Sequence, residues 1–251
     1  MPLRAARPRF PALAAAALLA AAAILDAQDA APDASPSAAF HAETEPRSGI
    51  AAQEPGTLPP EAKAAAEAGI NALGKNQFEQ AETAFLKLLK LSPDNPSALV
   101  NLGLTEFRLG REEEARDYLK RAVRKQPDAA LAWMMLGVIA MNESEPQEAT
   151  ADLAQAVYLN PKSPQAHNYY AVNLAKRGWY DAAEDELRTV IQLAPDFAEA
   201  HFNLALIYFQ QNPPAVELAR RHYQKALDLG AAPDPGFAAK LNAAPEQALP
   251  P

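Results

Sequence analysis

His167 and His201 stand 34 residues apart, a spacing at which two imidazoles on one face of a regular array are candidates for metal binding or proton transfer. A zinc site needs further ligands in the same register, and the sequence supplies none, so no metal is expected. Both histidines occupy the position that Trp133 holds one period earlier, and a ring there reads as packing with its nitrogen satisfied. His41 and His222 have no evident partner in the sequence. The runs Glu112-Glu113-Glu114 and Glu184-Asp185-Glu186 fall on helices, where solvated outer faces are expected rather than paired general acids. With no cysteine, the chain has no thiolate nucleophile, disulfide or acylated lipoprotein cysteine. Phosphate loop, nucleophile elbow and metalloprotease motifs are also missing. The chemistry therefore points away from an enzyme and calls for no cofactor.

The elements that place these residues are set by a period. Pro93, Pro127, Pro161 and Pro195 recur every 34 residues, the mark of a helix-turn-helix array. A small residue repeats at Gly69, Gly103, Gly137, Ala171 and Ala205, and a second at Ala81, Ala115, Ala149 and Ala183. Four residues after the second set come Phe85, Leu119, Leu153 and Leu187, so large faces small at helical spacing. Close approach explains the pairing: a residue without bulk admits the partner helix and a large one fills the gap. Between the helices of each pair lie Asn76, Gly110, Ser144, Gly178 and Asn212, types that favour tight backbone conformations. Ser144 to Gln147 reads as a capping box, and Asp196 and Ser163 mark further helix starts. Strand signals are missing, so the fold class is all-α.

Trp133, Leu136 and Gly137, with the following alanine, leucine and proline positions, resemble the tetratricopeptide repeat. The resemblance covers residues 61–231 and implies a right-handed α-solenoid of about five hairpins, near 62–95, 96–129, 130–163, 164–197 and 198–231. Asn212-Pro213-Pro214 adds two residues to the fifth turn, after which Ala219, Tyr223 and Ala226 resume the pattern. In such arrays the first helix of each unit lines the concave face, which implies a protein or peptide partner there. The residues this places in the groove are Val100, Asn101, Leu104, Phe107 and Arg108, then Met134, Val138 and Met141, then Asn168, Val172 and Lys176, then Phe202, Asn203, Leu206 and Phe209. Methionines and aromatics there suit an apolar or amphipathic segment. The family's carboxylate clamp for chaperone tails is not assembled: Asn101 matches one position, but Ile70, Val138 and Asn142 supply no cation.

Ahead of the array, Arg4, Arg7 and Arg9 precede the apolar run Ala12 to Leu25, in the order of a secretory signal peptide ending near Ala27. Fourteen residues make a helix of about 21 Å, short of a roughly 30 Å hydrocarbon core. Export to the periplasm or beyond is the expectation, with an uncleaved segment serving as a membrane tether as the alternative. Residues 28–60 are rich in Ala, Pro and acidic side chains and read as a disordered linker. A net charge of −8 with scattered lysines and arginines argues against nucleic acid. Pro235 to Ala243 reads as a capping helix within a C-terminal segment 232–251. The function read from these features is an exported interaction scaffold, and the alternative is a self-associating protein of the cell envelope.

Overall fold

A computed structural model describes residues 58–244. The signal segment 1–27, nearly all of the linker with His41, and the tail from 245 onward lie outside the described residues. The described chain is eleven α-helices. Five consecutive pairs form antiparallel hairpins: α1 (Pro60–Gly74) with α2 (Phe78–Leu91), α3 (Pro96–Arg108) with α4 (Glu112–Lys125), α5 (Ala130–Asn142) with α6 (Pro146–Leu159), α7 (Pro164–Lys176) with α8 (Tyr180–Leu193), and α9 (Ala198–Gln210) with α10 (Val216–Asp228). A shorter helix, α11 (Pro235–Ala243), follows.

Within a hairpin the small residues do the positioning. A Cβ built on Gly69, Gly103 or Gly137 would stand 2.5 Å from a side-chain carbon of Phe85, Leu119 or Leu153 respectively. Alanine takes the same role in the fourth and fifth units, where Ala171 and Ala205 are fully buried. The turns follow the sequence in four units, with Asn76, Gly110, Ser144 and Gly178 at positive φ between 56° and 79°. The fifth hairpin departs. Its turn holds five residues, 211–215, where the other four hold three, and Ala219, Tyr223 and Ala226 then return to the core.

Helix starts divide between two solutions. Asn95, Ser163 and Asp234 each accept a hydrogen bond from the backbone N–H three residues on, with a proline opening the helix. The expected capping box at Ser144 does not form, because Ser144 is used as the left-handed turn residue and Glu145 precedes α6 without a side-chain cap. Asp196 caps nothing either, since α9 begins two residues later behind Phe197.

Stacking makes the core continuous. One apolar cluster runs from Ala62 to Ile139 and another from Ala171 to Leu241, and Met134, Val138, Leu153, Ala156, Ala166 and Tyr169 join them. Helix α5 is apolar on all sides because α3, α4, α6 and α7 surround it. Helix α4, on the outside, buries only Ala115, Leu119, Ala122 and Val123 and carries acids in its first turn and bases in its last, matching its dipole. The first helices α3, α5, α7 and α9 also touch their counterparts one unit away, more closely than the second helices do. The array therefore bends inward on the first-helix side. Among the described residues no helix is long and apolar enough to cross a membrane.

Candidate functional site on the inner face

The inner face is built by residues recurring along the first helices, and the curvature decides which of them reach its surface. Val100, Asn101, Leu104, Met134, Val138 and Asn168 are all buried, Leu104 with only 1% of its surface exposed. They pack the hairpins together, which is where the bend has brought the first helices closest. Phe107, Arg108, Met141, Val172, Phe202, Asn203, Leu206 and Phe209 are half-buried, and Lys176 is exposed.

Arg108 turns back to the first unit, donating to Asn76 Oδ1 at 3.3 Å with its guanidinium 4.7 Å over the Phe78 ring. Phe202 and Phe209 meet the chain's own last helix. Phe237 of α11 stands edge-on to Phe209 at 5.6 Å between ring centroids and to Phe202 at 6.0 Å. Helix α11 is held there by two side chains of α10. The Tyr223 hydroxyl bonds both the N–H and the carbonyl of Asp234, and Arg220 donates to the carbonyls of Leu241 and Ala244 at 2.8 and 2.9 Å. A first helix of a sixth unit would open near here, so α11 takes its place and covers the end of the stack.

Four of the groove residues read from the sequence meet around one cavity. Val172 and Lys176 on α7, with Asn203 and Leu206 on α9, line a space of about 220 Å³ together with Ala171, Ala175, Ile207, Gln210 and, from α8, Leu187. Its walls are mostly hydrocarbon, and Lys176, Asn203 and Gln210 supply the polar edge. Asn203 donates from Nδ2 to Asn168 Oδ1 at 2.9 Å, tying α9 to α7. Asn101 instead bonds the Ser97 carbonyl within its own helix at 2.9 Å. Ala175 and Gln210 were not among the groove residues read from the sequence, although each lies one period after one of them, Met141 and Lys176, and that register is the signal that finds them. Leu187 and Ile207 enter only because the cavity reaches between the helices.

The ring position ahead of this face keeps one geometry through the repeats. Trp133 Nε1 donates to the Pro127 carbonyl at 2.9 Å, and His167 Nε2 meets the Pro161 carbonyl at 3.0 Å. The second nitrogen of His167 lies 2.5 Å from Glu186 Oε2, and that carboxylate, followed by the Pro161 carbonyl, raises the imidazole above its ordinary value against the cost of burial. Glu186 is thus not merely a solvated acid. Nor is Glu184, which accepts from the Tyr208 hydroxyl at 2.9 Å and from Gln211 at 3.2 Å.

Helical hairpins of one length, stacked on a fixed period with their first helices turned inward, define an α-solenoid repeat protein. Family models described as tetratricopeptide repeat match residues 66–130 and 113–167, and one described as TPR repeat matches 173–212. The chain belongs to the tetratricopeptide repeat family. Among solved structures it is similar to the MamA protein, at 26% identity over 76% of this chain and 98% of that one, with a TM-score of 0.57. The fold is shared with MamA 41-end from Desulfovibrio magneticus RS-1, at 16% identity over 69% and 97% of the two chains and a TM-score of 0.60. It is shared equally with TTC0263, a thermophilic TPR protein in Thermus thermophilus, at 23% identity over 72% and 97% with a TM-score of 0.57. Among curated proteins none matches the chain. A tetratricopeptide array is a scaffold for contact between proteins.

Proposed function

We propose that this protein is an exported, non-enzymatic scaffold that holds an apolar segment of a partner protein against its inner face. The observation that carries the reading is the cavity between α7 and α9, where hydrocarbon walls meet a polar edge of Lys176, Asn203 and Gln210. A space of about 220 Å³ accepts one large aliphatic or aromatic side chain, and the amides beside it can pair with the backbone that carries that side chain. Export rests on the arginines and apolar run of the first 27 residues.

Site-specific photo-crosslinking in intact cells tests both parts. A crosslinker at Leu206 captures a partner that one at the outward Tyr158 does not, and Val172→Glu removes that capture with helicity intact. Equal capture from Leu206 and Tyr158, or capture unaffected by Val172→Glu, defeats the reading. Sedimentation at rising concentration separates a foreign partner from a second copy, and the N-terminus of the mature chain tests export.

A further inference from the structure

His201 on α9 and His222 on α10 face each other in the last hairpin, Nδ1 to Nδ1 at 3.0 Å, with their rings stacked 5.2 Å apart and inclined by 27°. His201 is buried and His222 half-buried. A contact between two ring nitrogens at this distance requires one donor and one acceptor, so the pair shares one proton between the two Nδ1 atoms. A further proton places an imidazolium in a buried seam, and one more sets two N–H donors against each other. Other groups facing the pair do not cancel that cost. From α8 come the ion-paired Glu184 and Arg188, from α10 Lys225, and from α9 Tyr208, whose ring lies 5.4 Å from His222 and whose hydroxyl is bound to Glu184. The Pro195 carbonyl closes on His201 from the turn before α9.

One period earlier the same position behaves in the opposite sense. His167 has a carboxylate for its second nitrogen, so a proton there is welcome. Acid therefore acts on two neighbouring units with opposite signs.

We propose that the His201–His222 pair is a pH-sensitive latch that, on acidification, releases the last hairpin and α11 while the preceding units stay folded. Burial lowers both imidazoles, and the charge of His201 weighs further on His222. With folded values depressed, the unfolded hairpin binds more protons below the ordinary imidazole range, and stability is lost as pH falls through that range. The consequence reaches the inner face because α9 supplies Asn203, Leu206, Ile207 and Gln210 to the cavity wall. Release of a partner in acid rests on the binding reading above, whereas the latch itself does not.

Hydrogen exchange of the full chain, corrected for intrinsic rates, tests the latch without a partner. Between about pH 7.5 and about pH 5, amides of α9 to α11 lose about tenfold or more in protection while α3 to α6 keep theirs. His222→Gln, which retains a hydrogen-bonding group and cannot titrate in this range, removes the difference. Uniform loss along the array, or the same loss in His222→Gln, overturns the proposal. Should that substitution unseat the hairpin at neutral pH, the imidazole ¹⁵N shifts of the unaltered protein decide: two separated steps below the value of a free imidazole support the latch, and independent titration at that value overturns it. A partner captured equally at both pH values would bear on the binding reading and leave the exchange result standing.

Discussion

Gly137 lies against Leu153 so closely that a Cβ in place of its hydrogen would stand 2.5 Å from Leu153 Cγ and 3.2 Å from Leu153 N. The closest atom is the branch carbon of a fully buried leucine, not the far end of a flexible chain, and the backbone nitrogen behind it is fixed in α6. Gly137→Val is expected to destabilise the array by about 1–3 kcal/mol, and Gly137→Ala by less, since Ala171 and Leu187 coexist in the matching places of the next unit. Urea unfolding of both variants with and without Leu153→Ala measures this. Strictly additive costs would show that the two residues are not coupled.

Asp152 is buried on α6, and its carboxyl is pushed up to about 6, first by burial and then by Glu148 one turn away, against the opposing pull of Lys120 and Arg116. The folded chain then binds more protons than the unfolded one between 3.8 and about 6, so this group's contribution falls as pH rises through that window. Asp152→Asn is expected to raise stability at pH 7 by on the order of 1–3 kcal/mol and to flatten the pH dependence between about pH 4 and 6. A neutral or destabilising effect at pH 7 would contradict the assignment.

Glu186→Gln leaves an amide oxygen that can accept from His167 but removes the negative charge that favours the imidazolium. The raised imidazole contributes stability that is complete below its unfolded value and lost as pH rises through the folded one. The substitution is expected to cost about 1–2 kcal/mol near pH 6 and clearly less near pH 9, measured by chemical denaturation at the two conditions. An equal cost at both would assign Glu186 a packing role alone.

Met134 retains only 4% of its surface exposed, so Met134→Glu places a carboxylate within the seam between the two apolar clusters. Loss of more than about 3 kcal/mol, or failure to fold, is expected, whereas Leu206→Glu at the cavity edge is expected to keep native helicity. Circular dichroism and thermal unfolding of the two variants compare them directly. Similar stability for both would mean that Met134 is accessible after all.

Arg220→Ala withdraws the guanidinium that gathers the last carbonyls of α11. The expected cost is about 1–2 kcal/mol, confined to 235–243 and visible as faster amide exchange there with the rest of the array unchanged. Protection unaltered in α11 would show that Phe237 and Leu241 seat it by themselves.

Amino-acid order alone determined the paired helices, their 34-residue period, the glycine-to-leucine contacts and the ring nitrogen at the Trp133 position, because each depends on neighbours at fixed spacing within a unit or across one repeat. The face on which Val172, Lys176, Asn203 and Leu206 come together was implied by the resemblance to tetratricopeptide arrays, not by residue order alone. Tertiary structure decided how far that face is open. A period tells which side of a helix a residue occupies but not how closely successive first helices approach, so Leu104 and Met134 were indistinguishable from Leu206 until the bend buried them. It also gave His167 a carboxylate and His201 a second histidine, since those partners, 19 and 21 residues away, are set by how each second helix lies against its first.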